Sequence, residues 1–351
     1  MIPYLLLAAT PIGISLFYKD ININNKRKRK FLIICGIILF LFMGLRSRFL
    51  GSGDSLNYYN TMKKAIECSS WTQYYNSDGV EIGFQFFVFI LSRLFDNAQA
   101  LIIASSAIYA FGTCYFIYHN SKDVTFSVVM YITLGLMTFH MQGMRQSIAM
   151  SILVLAYELL KKKKYFWFIL AVGLATLFHS TAFVFLVLLI VPFLKNLNHT
   201  ILFSTIIGGA IIILSDQLIN IANDILDTDY SVHSTNVGGI IATSIYVLIV
   251  AFALIFNKSL SSDKQENAIF FVTFVGAICY LVRYFGALAA ERISFYFMFG
   301  QISLLPNTLE FMKPRDKMVT KVVVYLLMIA LFVYRLKTNG EFLPFDFFWN
   351  D

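Results

Sequence analysis

Apolar runs of about 15 to 20 residues recur from one end of the chain to the other, each roughly long enough to cross a bilayer, with short polar breaks between them. Backbone polar groups in lipid must be satisfied within the segment, so each run predicts a helix. The runs fall near 1–18, 31–45, 99–118, 124–140, 145–160, 165–179, 181–194, 200–215, 238–256, 268–286, 291–307 and 321–336. They predict an all-α polytopic membrane protein with about twelve spans (eleven to thirteen) in a single integral membrane domain over 1–351. The segment 82–95 is shorter, carries Arg93 and follows a polar loop. It is expected to be a re-entrant or interfacial helix.

Composition agrees with this pattern: 58% of residues are hydrophobic, 17% aromatic and only 14% charged. Soluble domains carry far more charge. The net charge of +8 does not point to nucleic acid, because Lys and Arg lie mainly in short breaks: "NKRKRK" (25–30), "KKKK" (161–164), Lys195, Lys258 to Lys264 and "KPRDK" (313–317). The positive-inside rule assigns these to the cytoplasm. The break 216–237 holds Asp216, Asp224, Asp227 and Asp229 without Lys or Arg, and is expected outside with the loop 46–81. Both termini then lie outside. No cleavable leader is expected, since positive charge follows the first apolar run instead of preceding it. Cys35, Cys114 and Cys279 fall in apolar runs and Cys68 is alone in a loop, so neither a disulfide framework nor a metal site is implied.

Depth along the helices places the remaining charges. Arg145 precedes Lys161 by 16 residues, about 24 Å of helix in a hydrocarbon core about 30 Å thick. Arg46, His179 and Arg283 stand at similar distances from the nearest basic run, and Glu291 and Arg292 open a span on the same side. Ionisable residues from distant parts of the chain thus share one level near the outer face. Arginine donates a planar, bidentate fork suited to phosphate, and a helix start adds positive potential at Arg145 and Gln146. Snorkelling toward the interface is the bland alternative for Arg46, Arg48 and Arg145. Asp54 is placed to cap a helix beginning at Ser55 that would carry Tyr58, Tyr59 and Met62 at the interface. Glu81 either favours the helix start that follows it, or accepts a proton or fixes an arginine. His179 suits proton transfer near neutral pH or a structural hydrogen bond, and Ser180 beside it could cap the next helix. Tyr284 and Tyr296 could form an aromatic belt or stack on a sugar ring.

The stretches "RSRFLGSGDSLNY" (46–58), "EIG" (81–83), "MRQSIA" (144–149), "HS" (179–180) and "RISFY" (292–296), in this order, resemble the EpsG family of polysaccharide polymerases, which are similar to Wzy-type repeat-unit polymerases. The likeness covers nearly the whole chain, with one departure, the additional Gly53 before Asp54. It implies a multi-pass protein of the bacterial cytoplasmic membrane, with a GT-C-like arrangement as a further expectation. It implies polymerisation of undecaprenyl-diphosphate-linked oligosaccharides on the outer side of that membrane, in exopolysaccharide, capsule or O-antigen synthesis. Undecaprenyl diphosphate is the leaving group, with no cofactor, nucleotide sugar or metal expected. Flippase and chain-length regulator proteins are the expected partners besides the lipid bilayer. Under this resemblance His179, Asp54 and Glu81 are the catalytic candidates. Arg46, Arg48, Arg145, Arg283 and Arg292 are the diphosphate-binding ones, and Tyr58, Gln146, Ser180, Glu291 and Tyr296 the substrate contacts. Arg145 is expected to meet its counter-ion in the substrate. A lipid-linked glycan flippase or transporter, a glycan ligase and a membrane O-acyltransferase remain the alternatives. A transporter should show midplane binding groups and internal repeats, and neither is visible.

Overall fold

The computed structural model describes residues 1–351 except 19, 52, 76–79, 227–238, 257–259, 261–262 and 282–287. Within the described residues every apolar run contains helix. The first helices are α1 (Ile2–Ser15), α2 (Asn25–Gly44), α3 (Asp54–Glu67), α4 (Trp71–Tyr75), α5 (Ile82–Leu94) and α6 (Gln99–Asn120). Next come α7 (Val124–Thr133), α8 (Leu136–Gln142), α9 (Met144–Lys161) and α10 (Tyr165–Thr176), followed by a 3-10 helix at Ser180–Phe193. The chain continues through α11 (Leu197–Leu226), α12 (Gly239–Ile255), α13 (Lys264–Leu281) and α14 (Leu288–Ser294), then a short 3-10 turn Phe295–Gly300. It ends with α15 (Gln301–Leu309) and α16 (Pro314–Asn339).

Among the described residues, three helices are individually long and apolar enough to cross a membrane: Gln99–Asn120, Leu197–Ile221 and Pro314–Thr338. The pair α7 and α8 qualifies only jointly and is bent by 51°. The break falls at Gly135, whose φ of +101° suits glycine. The Arg335 guanidinium packs where a Cβ at Gly135 would stand and donates to Leu134 O at 2.7 Å. Ile2–Ser15, Ile82–Leu94, Tyr165–Thr176, Ser180–Phe193 and Ser244–Ile255 are apolar but only 10–17 residues long. The predicted loop 216–237 is corrected in its first half: α11 runs through Asp216 and Asp224 to Leu226, and Asp227 and Asp229 lie outside the described residues.

The two ends of the bundle differ in chemistry. At one end the basic breaks meet: Lys28 donates to Ser121 O at 2.9 Å, Lys122 pairs with Glu266 at 2.9 Å, and Lys161 bonds Asn120 at 2.9 Å. Asn307 joins Glu266 to the Asn120 carbonyl there. Lys122 and Asn307 together satisfy the Glu266 carboxylate, which is almost wholly buried. α9 starts at the opposite end with Arg145 and finishes here with Lys161, so the helix fixes the separation. At that opposite end the tail 341–351 lies across the exit of α2. Ser47 N donates to Asp346 O, Gly51 N to Glu341 O and Phe348 N to Leu45 O. Nothing in the composition of the tail signals this seat.

Candidate functional site

Five separate segments converge at the end away from the basic breaks. The polypeptide leaves α2 at Arg46 and turns at Gly51 (φ +98°) and Gly53 (φ +78°), left-handed conformations that favour glycine. Gly53, not Asp54, is the N-cap of α3, and Asp54 is the first helical residue, which corrects the expected cap. The Asp54 side chain is therefore not committed to capping. α3 buries Ser55, Met62 and Ala65 against the bundle, so Met62 belongs to the core and not to an interfacial surface. Tyr58 packs edge-on against Phe84 of α5, with ring centroids 5.7 Å apart.

Glu81 immediately precedes α5 and is 1% exposed. One of its oxygens accepts from Arg145 Nη1 at 2.6 Å. The other accepts from His179 Nδ1 at 2.9 Å and from the Ser180 backbone N–H at 3.0 Å. Burial alone would raise the Glu81 carboxyl, but the His179 bond and the Arg145 charge outweigh it and hold the group well below the usual carboxylate range. Burial raises the Asp54 carboxyl, with Arg292 and Arg145 drawing it the other way. Asp54, Arg145 and Arg292 therefore share one electrostatic field.

Gly83 explains why Glu81 and His179 meet. Its N–H donates to Leu177 O at 2.9 Å. A Cβ there would lie 2.6 Å from the Leu177 oxygen. The first turn of α5 is thus laid directly on the backbone that leads into His179. The tripeptide "EIG" already carried this signal, but only contact with a distant segment gives the glycine its meaning.

Other predicted residues fall into place differently. Gln146 is buried and donates to Arg292 O at 2.8 Å, so it joins α9 to α14. Ser180 is buried beside Glu81 and meets it through its backbone. Glu291 is buried on α14, one residue before Arg292. Tyr296 is fully buried, its hydroxyl 2.8 Å from Thr181 Oγ1 and its ring 6.3 Å from that of His179. It forms the wall behind His179 and offers no face for sugar stacking. Arg283 lies outside the described residues. Arg145 does not wait for a substrate to supply its counter-ion, because Glu81 already does. Its side chain is still 23% exposed.

Arg46 and Arg48 stand apart from this cluster. Arg46 is 0% exposed and donates to Met43 O, to Met141 O at 2.7 Å, to Ser55 Oγ at 3.3 Å and to Ser106 Oγ at 3.4 Å. It joins α2, α3, α6 and α8, and is closed to a diphosphate. Arg48 turns toward the tail, with Asp351 at 3.8 Å and the Tyr59 ring at 4.7 Å. Replacing Arg46 by Met leaves Met43 O without its donor, at about 1–3 kcal/mol for a buried group, while Met141 O keeps the Ser55 hydroxyl at 3.1 Å. The expected result is a lower Tm in detergent, with undiminished binding of lipid diphosphate by the folded fraction. Loss of binding at an unchanged Tm would return Arg46 to the substrate-contacting set.

Among the described residues no three His, Cys, Asp or Glu side chains are grouped as a metal site requires. No curated protein sequence and no solved structure gives a significant match to the chain. The sequence model of the EpsG family matches residues 29–347, a stretch that contains Asp54, Glu81, Arg145, His179 and Arg292, and on that match the chain belongs to the EpsG family.

Proposed function

We propose that this chain polymerises undecaprenyl-diphosphate-linked oligosaccharide repeat units, with the Glu81–Arg145–His179 cluster on the outer side of the bacterial cytoplasmic membrane. The observation that carries the reading is one buried carboxylate held between a guanidinium and an imidazole, within the field of a second arginine and a second carboxylate. Membership of the EpsG family supports the polymerase class. The segregation of basic breaks at the far end supports the orientation, by the positive-inside rule. About twelve spans in a GT-C-like arrangement go with this reading.

The chemistry follows from the residues. An acceptor hydroxyl at the non-reducing end of one repeat unit attacks the anomeric carbon of the growing glycan. The new C–O bond forms as the bond to the diphosphate oxygen breaks, and undecaprenyl diphosphate leaves with the electron pair. Arg145 and Arg292 stabilise the charge that develops on it, which preorganised donors do without reorganisation. The hydroxyl proton passes to His179. Glu81 accepts at Nδ1, so Nε2 is the ring atom that takes the proton, and the carboxylate steadies the imidazolium that results. A carboxylate held as low as Glu81 is a poor base, so orientation is its part. Asp54, whose affinity for a proton is raised, is the second candidate base.

Purified lipid-linked repeat units added to the reconstituted protein test the proposal. A ladder of polymers is expected, with release of undecaprenyl diphosphate. Movement of the lipid across the bilayer without new bonds would replace the polymerase with a flippase. Arg145→Lys keeps the charge and loses the planar fork. Transfer is expected to fall about tenfold, the equivalent of one charge-assisted hydrogen bond of roughly 1.5 kcal/mol. Full polymer length with Lys at normal protein levels would leave no phosphate role for Arg145.

A further inference from the structure

A second site lies at the opposite end of the bundle, where the proposed chemistry has no use for it. The C-terminal ends of α9 and of the 3-10 helix Ser180–Phe193 meet the start of α13 around a cavity of about 470 Å³. That is within the range of about 300–1,000 Å³ typical of small-molecule sites. Tyr157, Lys161, Lys163, Lys264, Asp263 and Asn267 line it together with apolar side chains.

The charges on its walls are unevenly committed. Lys161 is paired with Glu158 at 3.1 Å. Asp263 is occupied by the start of α13, where its carboxylate accepts from Gln265 N at 2.8 Å. Lys163 and Lys264 are exposed and form no ion pair among the described residues. Two polar groups deep in the wall are unsatisfied. Tyr157 is 0% exposed and Asn267 is 7% exposed, and among the described residues neither the Tyr157 hydroxyl nor the Asn267 Oδ1 has a hydrogen-bond partner. A buried polar atom left unpaired costs about 1–3 kcal/mol, so two in one cavity wall call for a ligand with hydrogen-bonding groups.

The surroundings identify its chemistry. Lysines together with a hydroxyl donor suit a phosphate, and an amide oxygen suits a hydroxyl such as that of a glycerol headgroup. Immediately after Lys164, α10 begins with Tyr165, Phe166 and Trp167, all exposed, and Phe193 beside the cavity is 71% exposed. Exposed aromatic residues next to lysines mark a bilayer interface. A basic pocket between helices at that level is where anionic headgroups bind. We infer that this cavity binds the headgroup of an anionic, hydroxyl-bearing phospholipid, through Lys163, Lys264, Tyr157 and Asn267.

The test uses the full chain in neutral detergent, with phosphatidylglycerol, phosphatidylcholine, glycerol phosphate or inorganic phosphate added at matched concentrations. Thermal denaturation and native mass spectrometry provide the readouts. Phosphatidylglycerol is expected to raise the Tm and to remain bound, and the other three are not. Lys163→Gln and Lys264→Gln, both exposed positions, should each weaken retention about fivefold, the effect of one charge near an anionic surface. Tyr157→Phe should weaken it further at unchanged charge. Equal stabilisation by phosphatidylcholine, or retention unaffected by the double Lys variant, overturns the site. Equal stabilisation by inorganic phosphate alone makes it a free-anion site and overturns the lipid assignment.

Discussion

Replacing Glu81 by Gln is expected to lower glycosyl transfer by about 10²–10⁴-fold, because the base His179 loses the carboxylate that orients it and steadies its charge, while the protein still folds and binds the lipid diphosphate. The shape is retained, so one amide oxygen can still accept from Ser180 N–H and His179 Nδ1. On the other side an NH2 group would face the Arg145 guanidinium, donor against donor, across what is now a 2.6 Å contact. Arg145 loses its counter-charge and moves, and the imidazolium formed during transfer loses the carboxylate that steadies it. Ground-state binding is affected less, because a released Arg145 still attracts the diphosphate. Single-turnover transfer measured beside a binding assay separates the two. Unchanged transfer would show that the cluster is only structural. Weakened binding at a normal transfer rate would make Glu81 an organiser of the phosphate site instead of a partner to the base.

The level of these residues was legible in the sequence, but their direction was not. Counting along helices put Arg46, Arg145 and His179 at one depth, because the rise per residue is fixed and lipid allows little besides helix. Depth says nothing of which way a side chain turns about the helix axis. Arg46 and Arg145 share a level, yet one is enclosed by carbonyls and hydroxyls and the other reaches the Glu81 carboxylate. The partner of Arg145 was hidden for a related reason. Glu81 lies 64 residues away, before a segment whose own crossing was ambiguous. Hydropathy also cannot separate an α-helix from the 3-10 helix at Ser180–Phe193, since both bury the same apolar side chains. Nor does it register the bend between α7 and α8, which depends on one glycine and on an arginine some 200 residues later (Leu134 and Arg335 are 201 apart).

Gly83→Ala is the second large effect expected, a fall in transfer of about 10²-fold from a displacement near 1 Å. The added Cβ would stand 2.6 Å from Leu177 O, 2.8 Å from Leu177 Cβ and 2.9 Å from Leu177 C. Two of those atoms are backbone, so the clash cannot be relieved by a rotamer change. The first turn of α5 must lift, and the Gly83 N–H bond to Leu177 O must lengthen with it. Glu81 is two residues before Gly83 and His179 is two residues after Leu177, so the same displacement opens the Glu81–His179 contact. Gly53→Ala provides the comparison: it meets no atom within 4 Å but strains a φ of +78°. It should cost about 1–2 kcal/mol of stability at that left-handed position and leave the Glu81–His179 contact in place. Transfer per folded molecule, with Tm and lipid-diphosphate binding measured for both variants, distinguishes the two kinds of glycine. Equal losses of stability with equal transfer per folded molecule would mean that the α5–Leu177 contact supports the fold alone. A loss of transfer confined to Gly83→Ala would show that it is the close approach of two backbones, and not any side chain of α5 beyond Glu81, that brings carboxylate and imidazole together.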